Sequence, residues 1–396
     1  MKRLSPALLC SVACLASASF AYAQQFRPQG YFGVVPATRV FEEPDAIRQT
    51  GVTVTPLPSF DYTVTASPDR GGLVYSGSII GRDPHNRGKT TTTIPTQLIP
   101  LVITINDGTT THTYDPTIPD SCASGQTDVN IITNSPIFTN TTTWTMNGVN
   151  VGTTQYIDAF QRAEFWSLVQ GTPYHLILNR TTLSSVALSF SPTGSPGTNY
   201  PASEFGGCAT GFVGVVNFTN MDNMIQALIT GPLAPMVNAG IFPIFLTQDV
   251  VLADPGHSIF ANCCILGYHG AFFDPSLQIY SPFAIDTANV FGAPDVQILS
   301  HEMGEAINDP NGVNPTPLWG VLDSSRAART TLRLATRSHL AVLRPGRRRL
   351  SSDHLQELAF FSWFYGGASL GTGGKFSDNG TFGGDAKLPC PPGGTN

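Results

Sequence analysis

The hydrophobic and polar positions of this chain change period several times, and each change marks an element. "TQLIPLVITIND", Thr96 to Asp107, is an apolar, β-branched run that leads into an Asn-Asp-Gly turn, with "THTYDP" as its expected hairpin partner. In "GTTQYIDAFQRAEFWSLV" the period becomes helical: Tyr156, Phe160 and Ala163 share one face, with Phe165 and Trp166 nearby. "GFVGVVNF" reads as a core strand. "NMDNMIQALITGP" reads as a helix stopped by Gly-Pro. "AGIFPIFLTQDVVL" and "CCILGYHGAFF" are apolar and β-rich, and are expected to be neighbouring strands. "GAPDVQILSHEMGEAINDP" returns to helical spacing, with Pro294 and Asp295 suited to its start and Pro310 to its end. Before residue 90, turn signals such as "PDRGG" and "GRDPHNRG" separate short β-branched runs. The pattern predicts an α+β fold: a β-rich N-terminal half, then strands feeding a mixed α/β region built around one helix. No internal repeat is visible.

Composition narrows the class. The chain is 41% hydrophobic and 12% charged, rich in Gly and Pro, and dense in Thr and Asn between Thr90 and Thr154. The charged share is far below the usual quarter. That mixture suits a loop-rich and strand-rich exported protein and excludes a coiled coil. The net charge of −6 gives no reason to expect a nucleic-acid partner. Residues 1–23 have the form of a signal peptide: Lys2 and Arg3, an apolar run from Leu8 to Ala16, and Ala21-Tyr22-Ala23 before a cleavage point. The protein is therefore expected to be secreted or periplasmic. Past that point five cysteines remain, Cys122, Cys208, Cys263, Cys264 and Cys390, an odd number for an oxidising compartment. Cys263-Cys264 lacks the second pair a thiolate metal site would need, so disulfides to distant partners are expected.

The candidate chemistry sits in "SHEMGEAINDP", Ser300 to Pro310. On a helix, His301 and Glu305 lie four apart and project together, with Glu302 one step round. H-E-x-x-H metallopeptidases use this geometry: the side chains at i and i+4 hold zinc and the glutamate is the base. Here the second ligand position is Glu305, and zinc accepts carboxylate oxygen. The pattern H-E-x-x-E alone is weak, because Glu is common on helices. Its context is stronger. Val296, Ile298, Leu299, Met303, Ala306 and Ile307 make the helix apolar, and a buried helix must find partners for its ionisable groups. The expected assignment is Zn²⁺ on His301 and Glu305, with Glu302 as catalytic base. Asp309, eight residues from His301, is expected to cap the turn or orient His301, or to be a further ligand. His269, in "GYHG", is expected to be structural, with metal or substrate contact as the alternative.

Between Ser324 and Ser352 the style breaks: eight arginines and no acid, against nine arginines in all the rest. Read in the frame formed by the third base of each codon and the first two of the next, permitted codons from Ser325 to His339 spell Ser-Gly-Cys-Gln-Asn-Asn-Leu-Glu-Val-Gly-Asp-Pro-Leu-Ser without a stop. That frame restores the acidic, Gly-Pro style and supplies a sixth cysteine. We read residues 324–352 as a frameshift product. "TTQYIDAFQRAEFW", "SHEMGEAINDP" and "HLQELAFFSWFYG" together resemble an uncharacterised family of secreted bacterial zincin-like proteins, over roughly residues 90 to 385. The resemblance is more specific to family than to activity. It implies a zincin-like catalytic region, a zinc-dependent peptidase acting on extracellular protein or peptide, the ligands and base named above, and a further acidic ligand from the stretch this chain replaces. The product would then be an impaired version of a working relative.

The resulting division is 1–23 signal peptide, 24–90 N-terminal loop and strand segment, 91–323 zincin-like domain, 324–352 altered segment, and 353–396 the C-terminal part of the same domain and tail. Two other classes compete. One is a non-catalytic exported β-rich protein binding a surface glycan or protein partner through Trp363 and Tyr365, although "LAFFSWFY" is too apolar to sit in water. The other is a nucleic-acid binder through the arginines from Arg326 to Arg349.

Overall fold

The structure is a computed structural model that describes residues 28–39, 55–86, 91–319 except 275 and 294, 329–331, 342–343 and 354–382. One mixed sheet of eleven strands organises the described residues. Its strands are β1 (Tyr31–Arg39), β2 (Thr92–Asn106), β3 (Thr111–Tyr114), β4 (Leu176–Thr182), β5 (Val186–Phe190), β6 (Gly197–Pro201), β7 (Phe212–Asn217), β8 (Phe242–Gln248), β9 (Val250–Ser258), β10 (Ala261–Phe273) and β11 (Leu277–Ile285). The order is β6-β7-β9-β10-β11-β8-β2-β3, with β4 and β5 also on β2 and β1 parallel to β10.

Side-chain alternation along β2 explains the layers. Ile94 and Leu98 enter one core, and Ile99, Leu101, Ile103 and Ile105 enter another on the opposite face. The first core is roofed by helices α1 (Tyr156–Glu164) and α3 (Gln297–Asn308); the second is closed by α2 (Phe218–Thr230), which contributes Met221, Ile225 and Ile229. A strand covered on both faces reads as a near-continuous apolar run, which is why β8 and β10 show little alternation. The fold is mixed α/β and strand-rich.

Most expected elements are present. β2 does run into a turn at Asp107, and Thr111–Tyr114 pairs antiparallel with it. Two readings need correction. The run "AGIFPIFLTQDVVL" divides into β8 and the start of β9, and β11 separates β8 from β10. Leu277–Ile285, interrupted by Pro282, gave too short a signal to be singled out, yet it is the strand that links them. The helix expected from Pro294 begins at Gln297, because the Asp295 carboxylate is used by His354, whose Nδ1 lies 2.9 Å from Oδ2.

Cys122 and Cys208 form a disulfide across 86 residues, and Cys263 pairs with its neighbour Cys264, contrary to the distant partners expected for them. Trp363 and Tyr365 lie in the first core and present no aromatic binding face. The signal-peptide segment lies outside the described residues. So does the arginine-rich segment, apart from the backbone of Arg329–Thr331, paired with Pro315–Trp319, and of Val342–Leu343, paired with Leu355–Gln356. No helix among the described residues is long and apolar enough to cross a membrane.

Candidate metal centre

Helix α3 lies across β10 and β11, with every residue from Gln297 to Asn308 buried. A glycine permits the close approach. A Cβ added at Gly267 on β10 would lie 2.8 Å from Ile298 Cγ2 and 3.0 Å from Glu302 Cγ. Gly267→Ala is therefore expected to push the helix outward and cost about 1–3 kcal/mol of overpacking, read from a urea unfolding midpoint.

The step from Gly267 to His269 along β10 places the imidazole beneath the next part of the helix. His269 Nδ1 lies 3.6 Å from Glu305 Oε2 and 3.8 Å from Glu302 Oε2. His301 Nε2 lies 3.4 Å from the other oxygen of Glu305, Oε1. All four side chains are at most 2% exposed. His269, Glu302 and Glu305 can bring one ligand atom each within 4.8 Å of one another, the one such group among the described residues. Glu305 thus stands between two imidazoles, one on its own helix and one on the sheet.

Both rings are oriented by acceptors. His269 Nε2 is 3.1 Å from the Asp309 carbonyl oxygen, which can only accept, so Nε2 carries the hydrogen. His301 Nδ1 is 3.1 Å from Gln356 Oε1 and donates in the same way. Each ring then turns its other nitrogen toward the glutamates. Lone pairs facing buried carboxylates repel one another unless a cation or added protons lie between them. The separations decide which fits better. Distances of 3.4 to 3.8 Å exceed an N–H···O hydrogen bond, which runs from about 2.7 to 3.2 Å. The two contacts of Glu305, 3.4 and 3.6 Å, match the edges of a tetrahedron of nitrogen and oxygen ligands about 2.0–2.2 Å from zinc, which are roughly 3.3–3.6 Å long; the 3.8 Å contact of Glu302 is longer than such an edge.

The surroundings hold these groups firmly. Gln356 is held through its backbone: its N–H donates to Ser300 Oγ at 2.9 Å, and its carbonyl accepts from Tyr156 Oη at 2.8 Å. Tyr156 Oη also lies 2.7 Å from Asp378 Oδ2. The phenol has one proton for these two acceptors, and a protonated Asp378 would supply the second. Burial, with the Glu357 carboxylate nearby, pushes the Asp378 carboxyl up to about 8, consistent with that proton. On its open face the His301 ring stacks on Phe32 of β1, centroids 3.7 Å apart and planes 14° apart.

Two of the sequence-predicted ligand and base residues, Glu302 and Glu305, fall in one group with His269; His301, the expected first ligand, stands outside that group and meets it at Glu305. His301 and Glu305 are adjacent, and Glu302 faces the same small volume. Asp309 ends the helix, its Oδ1 accepting from Asn314 N at 2.8 Å; its carbonyl orients His269. Three participants were missed. Gly267 and Gln356 sit on separate elements with no spacing to connect them to the helix. Phe32 lies some 270 residues upstream of His301. The histidine in "GYHG" was the one available signal, since a strand-borne imidazole after a glycine suits a site packed against a helix.

No known protein family, curated protein or solved structure matches this chain.

Proposed function

We propose that the chain is a zinc-dependent hydrolase of zincin type that cleaves peptide bonds in extracellular protein. The observation that carries this reading is the position of Glu305, with one oxygen facing each of two imidazole nitrogens at zinc-ligand separations. In this reading His269 and Glu305 hold the metal, His301, which meets Glu305 from outside their group, closes on it when the metal binds, and Glu302 is the base. Bound zinc would supply a water with pKa lowered to about 7 and a Lewis acid for the scissile carbonyl. Glu302 takes the water proton, held against Gly267 so that its carboxylate cannot swing away. The apolar roof of the helix keeps bulk water out, which strengthens each charge interaction inside. Export fits a chain with a Cys122–Cys208 disulfide, and residues 324–352, as a frameshift product, would impair turnover while leaving this part of the ligand set in place.

Zinc content per chain after dialysis tests the assignment. One equivalent is expected for the unaltered protein, and much less for His269→Ala and for Glu305→Ala. A chain that stays metal-free while its circular dichroism shows it folded would overturn the proposal. His269→Ala binding zinc as tightly as the unaltered chain would return His269 to a structural role.

A further inference from the structure

Strand β1 differs from the rest of the sheet. It runs parallel to β10 with Val34 opposite His269 and Phe32 opposite Gly267, along the edge that β9 leaves beyond Ile265. Its residues from Tyr31 to Ala37 are only half-buried, apart from exposed Pro36, whereas Cys264 to Phe272 of β10 beneath them are buried. Its backbone is bonded to the body at both ends: Cys264 N donates to Gln29 O at 3.3 Å, and Ala37 N donates to Asn311 O at 2.9 Å, in the loop just past the helix, while Phe32 and Ala37 pack against the first core and Tyr31 and Val35 against the second, Tyr31 Oη donating to Asn262 O at 3.0 Å. One aromatic side chain, Phe32, reaches the site and covers the ring of His301.

Backbone bonding along a sheet edge, with alternate side chains entering pockets on either face, is how a β-sheet takes up an extended peptide. We infer that the edge of β10 and the loop at Asn311 form a groove for an extended polypeptide, and that the chain's own residues 28–39 occupy it. Substrate would lie in the same groove, so β1 in place blocks the site and its departure opens it. The second half of this inference rests on the hydrolase reading; the groove itself does not. The occupant is the named segment because it is seated there, it makes the groove's hydrogen bonds, and its aromatic ring covers the candidate ligand.

The test places a recognition sequence for a specific protease after Pro44 in the full chain and compares cut with uncut protein. Cutting is expected to let the segment leave a protein that remains folded by circular dichroism. A fluorescent synthetic peptide of residues 28–39 then binds the cut protein by anisotropy and does not bind the uncut one. The same peptide with Phe32→Ala binds at least tenfold more weakly. Hydrolysis of an unfolded labelled casein by the zinc-loaded, frame-restored chain rises at least about tenfold on cutting, the factor for a site open a tenth of the time, and falls again on adding the peptide. Unfolding of the cut protein, or a segment that stays and does not exchange with the peptide, would make β1 an integral strand and overturn the inference. Equal hydrolysis before and after release would overturn it as well. Peptide exchange with no hydrolysis in either form supports the groove and sinks the hydrolase reading instead.

Discussion

Glu302→Gln is expected to keep the zinc and lose the reaction. The side chains are nearly isosteric, so the packing against Gly267 and Ile298 survives. A carboxamide cannot accept the proton of a metal-bound water, and removing a positioned general base lowers turnover by about 10²- to 10⁴-fold. KM is expected to change little, because the base acts on the attacking water and not on substrate binding. Turnover is measured in the chain with residues 325–339 restored to the alternative frame, and zinc content in both forms. Glu302 belongs with His269 and Glu305 to the one group among the described residues that can bring three ligand atoms within 4.8 Å of one another, so base and ligand are the two roles this experiment separates. Zinc lost together with activity would move Glu302 from base to ligand. Activity retained without Glu302 would remove the base role and, with it, the hydrolytic mechanism.

The sequence made the helix and its ionisable triplet legible because periodicity needs only neighbours: His301, Glu302 and Glu305 fall within five residues, and the apolar positions around them announce burial. It could not show that a strand about thirty residues earlier would set His269 beneath Glu305, since that depends on the register between β10 and β11. That register follows from β11, the strand the pattern did not single out. The same reason hid Gln356, delivered from beyond the arginine-rich segment, and Phe32, delivered from the N-terminal side. The two-layer core was partly legible: the odd-numbered isoleucines of β2 alternate with positions that face the other helix layer. The pairing of Cys263 with Cys264 was not, because cysteine counting gives parity and leaves connectivity open. That pairing and Cys122–Cys208 are the two disulfides among the described residues.

Glu164→Gln is expected to make the protein more stable in alkali and to flatten its stability between about pH 4.5 and 8. Glu164 ends α1 and is buried against the last turn of α3. Burial pushes its carboxyl from 4.5 up to about 8, opposed by hydrogen bonding from the Phe361 N–H and Asn308. Asn308 donates one amide hydrogen to the Gly304 carbonyl at 3.2 Å, which leaves the second for the Glu164 carboxyl. The folded pKa is raised above the unfolded one. The stability this group contributes is therefore fully present below about pH 4.5, and is lost progressively as pH rises to about 8. A shift of that size corresponds to something on the order of 4 kcal/mol between the ends of the window. Gln keeps an acceptor for the Phe361 N–H without titrating. Urea midpoints at pH 5 and pH 9 should therefore differ more for the unaltered protein than for Glu164→Gln, which keeps the slope from Asp378 and Asp128, raised by burial to about 8 and about 9, and the variant should be the more stable of the two at pH 9. An unaltered chain with the same or greater stability at pH 9, or a variant that retains the full slope, would show that Glu164 titrates in its ordinary range. The helix that carries His301, Glu302 and Glu305 would then not depend on a protonated carboxyl beneath its last turn.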